Sequence, residues 1–155
     1  MKLISAACAL IALLGLMFNA SAFAASGHGS ADEAKAMVKK AALFLKSNGK
    51  DKTFEQATNQ SGQFVSGDLY LSIYDTGGKV LAHGANAKLV GKDVSELKDA
   101  DDKYFIKEIL AVAKKDGSGW VDYKWPNPVT KEIQGKTVYF EQVNNVIIAC
   151  GFYKA

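Results

Sequence analysis

Arginine is absent from the chain: every one of its 19 basic residues is lysine. If an anion is held by charge, the forked bidentate grip of a guanidinium is excluded, which leaves lysine, backbone amides or hydroxyls. The formal net charge of +3 is too small, and its basic residues too little interleaved with aromatics, to point to nucleic acid. There are two cysteines, and Cys8 lies in an N-terminal apolar run that reads as a removable segment. A mature chain holding only Cys150 forms no internal disulfide. Cys150 itself lies in the apolar run Val146 to Phe152 and reads as a small core residue. No Gly-x-Ser-x-Gly elbow, phosphate loop or His-Glu-x-x-His occurs, and one plausible histidine gives nucleophilic catalysis no cast. These absences argue against an enzyme, and no cofactor is implied.

The N-terminus has Lys2, a nearly continuous apolar run from Leu3 to Phe18, and small residues in Ala22-Phe23-Ala24. That is the pattern of a signal peptide, with cleavage expected after Ala24 and Ala22 the near alternative. A retained anchor is the competing interpretation, but the run is shorter than the roughly 20 residues that span a bilayer. Cys8 has no apolar segment before it and does not suit lipoprotein acylation. The expected organisation is a signal peptide over 1–24, a flexible leader over 25–30 and one domain over 31–155, in a periplasmic or secreted protein. Removing 24 of the 155 residues leaves 131, enough for one core.

Ser30-Ala31-Asp32-Glu33 reads as a capping box. Ala34, Met37, Val38, Ala41, Phe44 and Leu45 follow at helical spacing, so a helix is predicted over 31–47, ending at Asn48-Gly49. A weaker helical segment over 51–58 is broken by Asn59 to Gly62. From Asp68 the period becomes two: Leu69, Leu71 and Ile73 alternate with Tyr70, Ser72 and Tyr74. Thr76-Gly77-Gly78-Lys79 turns this strand into a second one over 80–83. Asp101-Asp102 reads as the start of a helix carrying Phe105, Ile106, Ile109, Leu110 and Ala113 on one stripe, ended by Lys114-Lys115 and Gly117. The cluster of Glu96, Asp99, Asp101 and Asp102 lacks the spacing of a calcium loop. Strands are predicted over 120–125, 137–143 and 146–153, the last two joined by Asn144-Asn145. Hairpins with a long helical insertion predict an α+β domain, an antiparallel sheet with its helices gathered on one side.

Five blocks carry a resemblance: Gly67-Asp68-Leu69-Tyr70, Leu81-Ala82-His83, Leu89-Val90-Gly91-Lys92, Gly119-Trp120-Val121 through Pro128, and Gly151-Phe152-Tyr153-Lys154. In this order they resemble the single Cache domain of bacterial sensors, type two, over residues 31–154. The resemblance implies a PAS-like five-stranded antiparallel sheet, with a long N-terminal helix on its back and a second helix inserted between strands two and three. On the other face it implies a pocket that in relatives takes acetate, propionate, lactate or pyruvate. The chain departs from the family at Gly84, where proline usually follows the histidine, and this loosens the turn that carries His83.

Several residues are candidates for the pocket. Tyr123 and Trp125 share a strand face before the rigid Pro126-Asn127-Pro128 turn and make an aromatic wall with polar donors, although core packing has the same pattern. His83 alone reads as a structural group, and the resemblance places it at the pocket, donating either as the imidazolium or from one nitrogen when neutral. Lys136 is the candidate charge partner, against its plain interpretation as a solvated strand-end charge. Tyr139 resembles a family tyrosine, but three residues from Lys136 it reaches the same face only if a bulge or a strand start intervenes. Tyr70 faces the pocket if Leu69, Leu71 and Ile73 pack on the helix, and the reverse orientation stays open. Trp120 is expected to close the pocket together with Trp125. Tyr104 caps it or lies on the surface, and His28 reads as a solvated leader residue.

Two functions follow. In one, the domain binds a short-chain carboxylate and acts through a separate membrane partner, a chemoreceptor, sensor kinase or transporter, since the chain ends at Ala155. In the other it is an interaction module with a vestigial pocket, making a homodimer or docking a partner through its N-terminal helix.

Overall fold

The computed structural model describes residues 28–154, so the expected signal peptide lies outside the described residues. Helix α1 spans Ala31–Thr58 and opens with the predicted box. The Glu33 N–H donates to Ser30 Oγ at 3.3 Å, while the Ser30 N–H and hydroxyl donate to Glu33 Oε2 at 2.9 and 2.8 Å. Gly49, at φ 79° and ψ 176°, interrupts the helical geometry, so α1 is a long segment followed by a short one. No helix of the described residues is long and apolar enough to cross a membrane.

The strands are β1 (Val65–Ser66), β2 (Leu69–Asp75), β3 (Val80–His83), β4 (Ser118–Pro126), β5 (Ile133–Val143) and β6 (Val146–Tyr153). All pairings are antiparallel in the order β1-β2-β6-β5-β4, with β3 also on β2. The two-residue β1 is the addition to the five predicted strands. Helix α2, Phe105–Asp116, lies between β3 and β4 as expected.

The helices do not gather on one side. Ala34, Val38 and Leu45 of α1 pack with Leu71, Ile73 and Ile148, whereas Phe105, Ile106 and Ile109 of α2 pack with Val121, Val138 and Ile147. Strands β2 and β6 are buried along nearly their whole length. Both of their faces therefore need a cover, and α1 and α2 supply one each. With Leu71 and Ile73 turned to α1, Tyr70, Ser72 and Tyr74 face α2.

The predicted start of α2 was four residues early. Asp99 Oδ1 accepts the N–H groups of Asp101 and Lys103, both at 2.9 Å, and Asp102 has a φ of 61°. The acidic cluster therefore makes a turn, not a helix start. The same turn closes the free edge of β4: Asp99 Oδ2 accepts the Lys124 N–H at 2.8 Å, and Lys103 Nζ donates to the Asp122 carbonyl at 2.6 Å. Edge groups satisfied in this way are withdrawn from pairing with another chain.

Candidate functional site

Between the sheet and α2 lies a narrow cavity. Tyr70, Ser72 and Tyr74 of β2, His83 of β3, and Tyr123 and Trp125 of β4 line it from the sheet. Phe105 and Ile106 roof it. The space is threaded between side chains, with room for the centre of little more than one water.

His83 reaches the cavity through a bulge. Tyr74 pairs with Val80 but Ile73 pairs with Ala82, so Leu81 is the extra residue and both Val80 and His83 turn to the α2 face. The buried imidazole accepts the Ala85 and Asn86 N–H groups at Nδ1, at 3.2 and 3.0 Å. The ring proton is thereby assigned to Nε2. Burial first, and the nearby Lys136 charge second, push its pKa down to about 3. His83 is therefore a neutral donor, and the imidazolium is excluded near neutral pH. The loosening expected at Gly84 is not found: its N–H donates to the Leu71 carbonyl at 2.9 Å. A Cβ there would lie 3.0 Å from Tyr70 Cβ and 3.1 Å from the Ala57 carbonyl oxygen. Glycine lets the exit of β3 close against both β2 and α1.

Lys136 is 2% exposed and pairs in register with Tyr123 on one side and Tyr153 on the other. Its ammonium lies 3.8 Å from the Tyr70 ring centroid and 4.8 Å from that of Tyr153. Among the described residues no carboxylate lies within 4.0 Å of it. Burial brings its pKa down to about 7, and Cys150 and Asp68 offset this only in part. Lys136 does not itself line the cavity but meets it through Tyr70, and it also lines a charged surface groove with Lys103, Asp122, Lys124 and Lys154.

Tyr70, Tyr123 and Trp125 thus stand on the cavity, with His83 beside Tyr70 at a ring separation of 5.1 Å. Tyr123 stacks on Phe105 with centroids 4.0 Å apart and rings 12° from parallel, and Trp125 lies 5.4 Å from the same ring. Trp120 and Tyr139 are not there. They pair across β4 and β5 on the α1 face, their rings 4.9 Å apart, with Trp120 42% exposed. The Tyr139 hydroxyl donates to Glu141 at 2.6 Å. The β4–β5 register runs unbroken from Ser118↔Glu141 to Pro126↔Ile133, so no bulge returns either residue to the cavity. Tyr104 is 40% exposed under Lys98 and Lys107.

Tyr153 is the polar residue that sequence reasoning left out. Its hydroxyl donates to the Pro126 carbonyl at 2.8 Å and lies 3.3 Å from the Tyr70 hydroxyl. The signal was its place in the Gly151-Phe152-Tyr153-Lys154 block, on the opposite face from Cys150. His28 and Gly29 are held at Asp68: its fully buried carboxylate accepts the Gly29 N–H at 2.7 Å and contacts His28 Nδ1 at 3.1 Å. Asn127 Nδ2 is 3.4 Å from the same carboxylate, which joins these two residues to the turn after β4.

The family model described as Single Cache domain 2 matches residues 11–155. The methyl-accepting chemotaxis protein McpP of Pseudomonas putida is 38% identical over 74 residues, 48% of this chain. The match spans only 14% of that protein's length. Among solved structures, one described as the structural basis for carboxylic acid recognition by a Cache chemosensory domain superposes with a TM-score of 0.65 at 25% identity, covering 80% of this chain and 88% of that one. A methyl-accepting chemotaxis protein from Vibrio parahaemolyticus has a TM-score of 0.66 at 24% identity, over 79% of this chain and 86% of that one. A periplasmic sensor domain of a chemotaxis protein has a TM-score of 0.64 at 21% identity, over 80% and 90%.

Proposed function

Because the chain belongs to the single Cache domain 2 family, we propose that it is a periplasmic sensor domain that binds a short-chain carboxylate and passes the bound state to a chemosensory membrane partner. The observation that carries this is Lys136: a buried ammonium with no carboxylate within 4.0 Å among the described residues. Such a group is costly to bury alone and gains most from an arriving anion. The His83 Nε2–H and the Tyr70 hydroxyl are the further donors, and Tyr123, Trp125 and Phe105 are the wall for a short carbon tail. Acetate, propionate, lactate and pyruvate are the candidates, and the side chains around the space must move apart to admit any of them. The carboxylic acid recognition of the related Cache domain supports the same class. McpP supports a chemoreceptor as the partner.

The tightness of the cavity favours a second reading, an interaction module with a vestigial pocket. Thermal-shift screening of the mature domain against C2 to C4 acids separates the two. A ligand raises the melting temperature by mass action, while a vestigial pocket leaves it unmoved at millimolar acid. Loss of the shift in Lys136→Ala assigns the anion's partner.

A further inference from the structure

The long side chain of Lys136 takes an unusual course. Side chains on a sheet stand roughly perpendicular to it, which would carry this ammonium into the α2 layer. Instead it reaches Tyr70 on β2, although Lys136 belongs to β5 and β6 runs between them. Neighbouring strands lie about 4.8 Å apart, so the ammonium reaches this ring only because the stem leans out over β6. It crosses over Gly151: a Cβ at that position would lie 2.6 Å from Lys136 Cε, 2.4 Å from Val138 Cγ2 and 2.9 Å from the Thr137 carbonyl oxygen. Any side chain there occupies the space the stem now fills.

We propose that Gly151 is the positioning residue for Lys136: its missing side chain opens a trench across β6 in which the lysine stem lies flat, and this fixes the ammonium against Tyr70 and Tyr153. An alanine at 151 forces the stem out toward the surface groove that Lys136 also lines, where the ammonium leaves the two rings and regains water. The ionisable groups around it are Tyr70 on β2, His83 on β3, Tyr123 on β4, Cys150 and Tyr153 on β6, and Asp68 ahead of β2, and toward the surface groove Asp99, Asp101, Lys103, Asp122, Lys124 and Lys154. None of their atoms is among the three nearest that a Cβ at 151 would meet. The consequence for affinity rests on the carboxylate reading; the placement of Lys136 does not.

The test reads both separately. In ¹³C,¹⁵N-lysine-labelled protein, with the Lys136 signal identified by its loss in Lys136→Met, the side-chain amine is titrated by NMR in wild type and in Gly151→Ala. The expected result is a titration moved up toward the ordinary lysine value of 10.5 in the variant. Losing one charged contact to the ligand should weaken propionate binding about tenfold or more. Because Gly151→Ala also crowds Val138, the substitution is repeated in a Val138→Ala background, with and without Lys136→Ala. The stability cost of Gly151→Ala should shrink when Lys136 is absent. An unchanged Lys136 titration, or an equal stability cost with and without the lysine, overturns the proposal. If the titration moves while wild type binds no acid, Gly151 positions Lys136 and the carboxylate reading fails.

Discussion

The Lys136 ammonium lies 3.8 Å from the centroid of the Tyr70 ring, and that ring is a wall of the cavity. A tyrosine face partly offsets the loss of water around a cation, but by less than an anion does. The fold therefore holds a charge whose loss of water is only partly offset.

Removing this charge should stabilise the empty protein. Lys136→Met keeps the stem's apolar packing and removes the ammonium, so thermal melts at pH 6 should show a higher melting temperature than wild type. The same variant should give no shift with acids.

The pH dependence has a definite sign. The Lys136 pKa is lowered from 10.5 to about 7 in the folded protein, so between these values the unfolded chain binds more protons. The lysine's contribution to stability accordingly rises with pH through that window, and in Lys136→Met melts this part of the rise should disappear. Ligand affinity runs the other way. A bound carboxylate favours the ammonium, so titration calorimetry should show affinity falling as pH rises above about 7, approaching about tenfold per pH unit.

His83 adds an acid limit. With its pKa lowered from 6.5 to about 3, it stays neutral in the fold while the unfolded chain takes up a proton, so its contribution to stability is lost as pH falls through that interval. His83→Ala strands the Ala85 and Asn86 N–H groups, at a cost of about 1–3 kcal/mol. Urea unfolding at pH 7 and pH 4.5 should show that cost, with a shallower acid loss in the variant.

The two tryptophans of β4 should behave differently. Trp125→Ala opens the cavity wall and should weaken acid binding, whereas Trp120→Ala, on the other face, should leave binding within about twofold and, as a partly exposed site, cost little stability. Calorimetry on both variants checks the assignment of faces.

Much of this was legible in the chain. The capping box at Ser30, the break at Asn48-Gly49 and the alternation of Leu69, Leu71 and Ile73 with the tyrosines are local patterns, and local patterns survive folding. The bulge at Leu81 that turns His83 inward depends on pairing with β2, which no spacing encodes. Lys136 meeting Tyr153 depends on the β5–β6 register, and its reach to Tyr70 on the missing side chain of Gly151. Asp101-Asp102 looked like a helix start because acidic residues favour one. Asp99 instead drew the local amides into a turn that seals β4, a tertiary demand. Trp120 shows the opposite case. Its odd spacing from Trp125 already placed the two on opposite faces of a regular strand.

The most direct test of carboxylate binding is isothermal titration of residues 25–155 with acetate, propionate, lactate and pyruvate at pH 6.5, alongside Lys136→Met. Saturable binding of at least one acid by the wild type, absent in the variant, is the predicted result. No heat from any acid up to millimolar concentration, or equal affinity in both proteins, would contradict it.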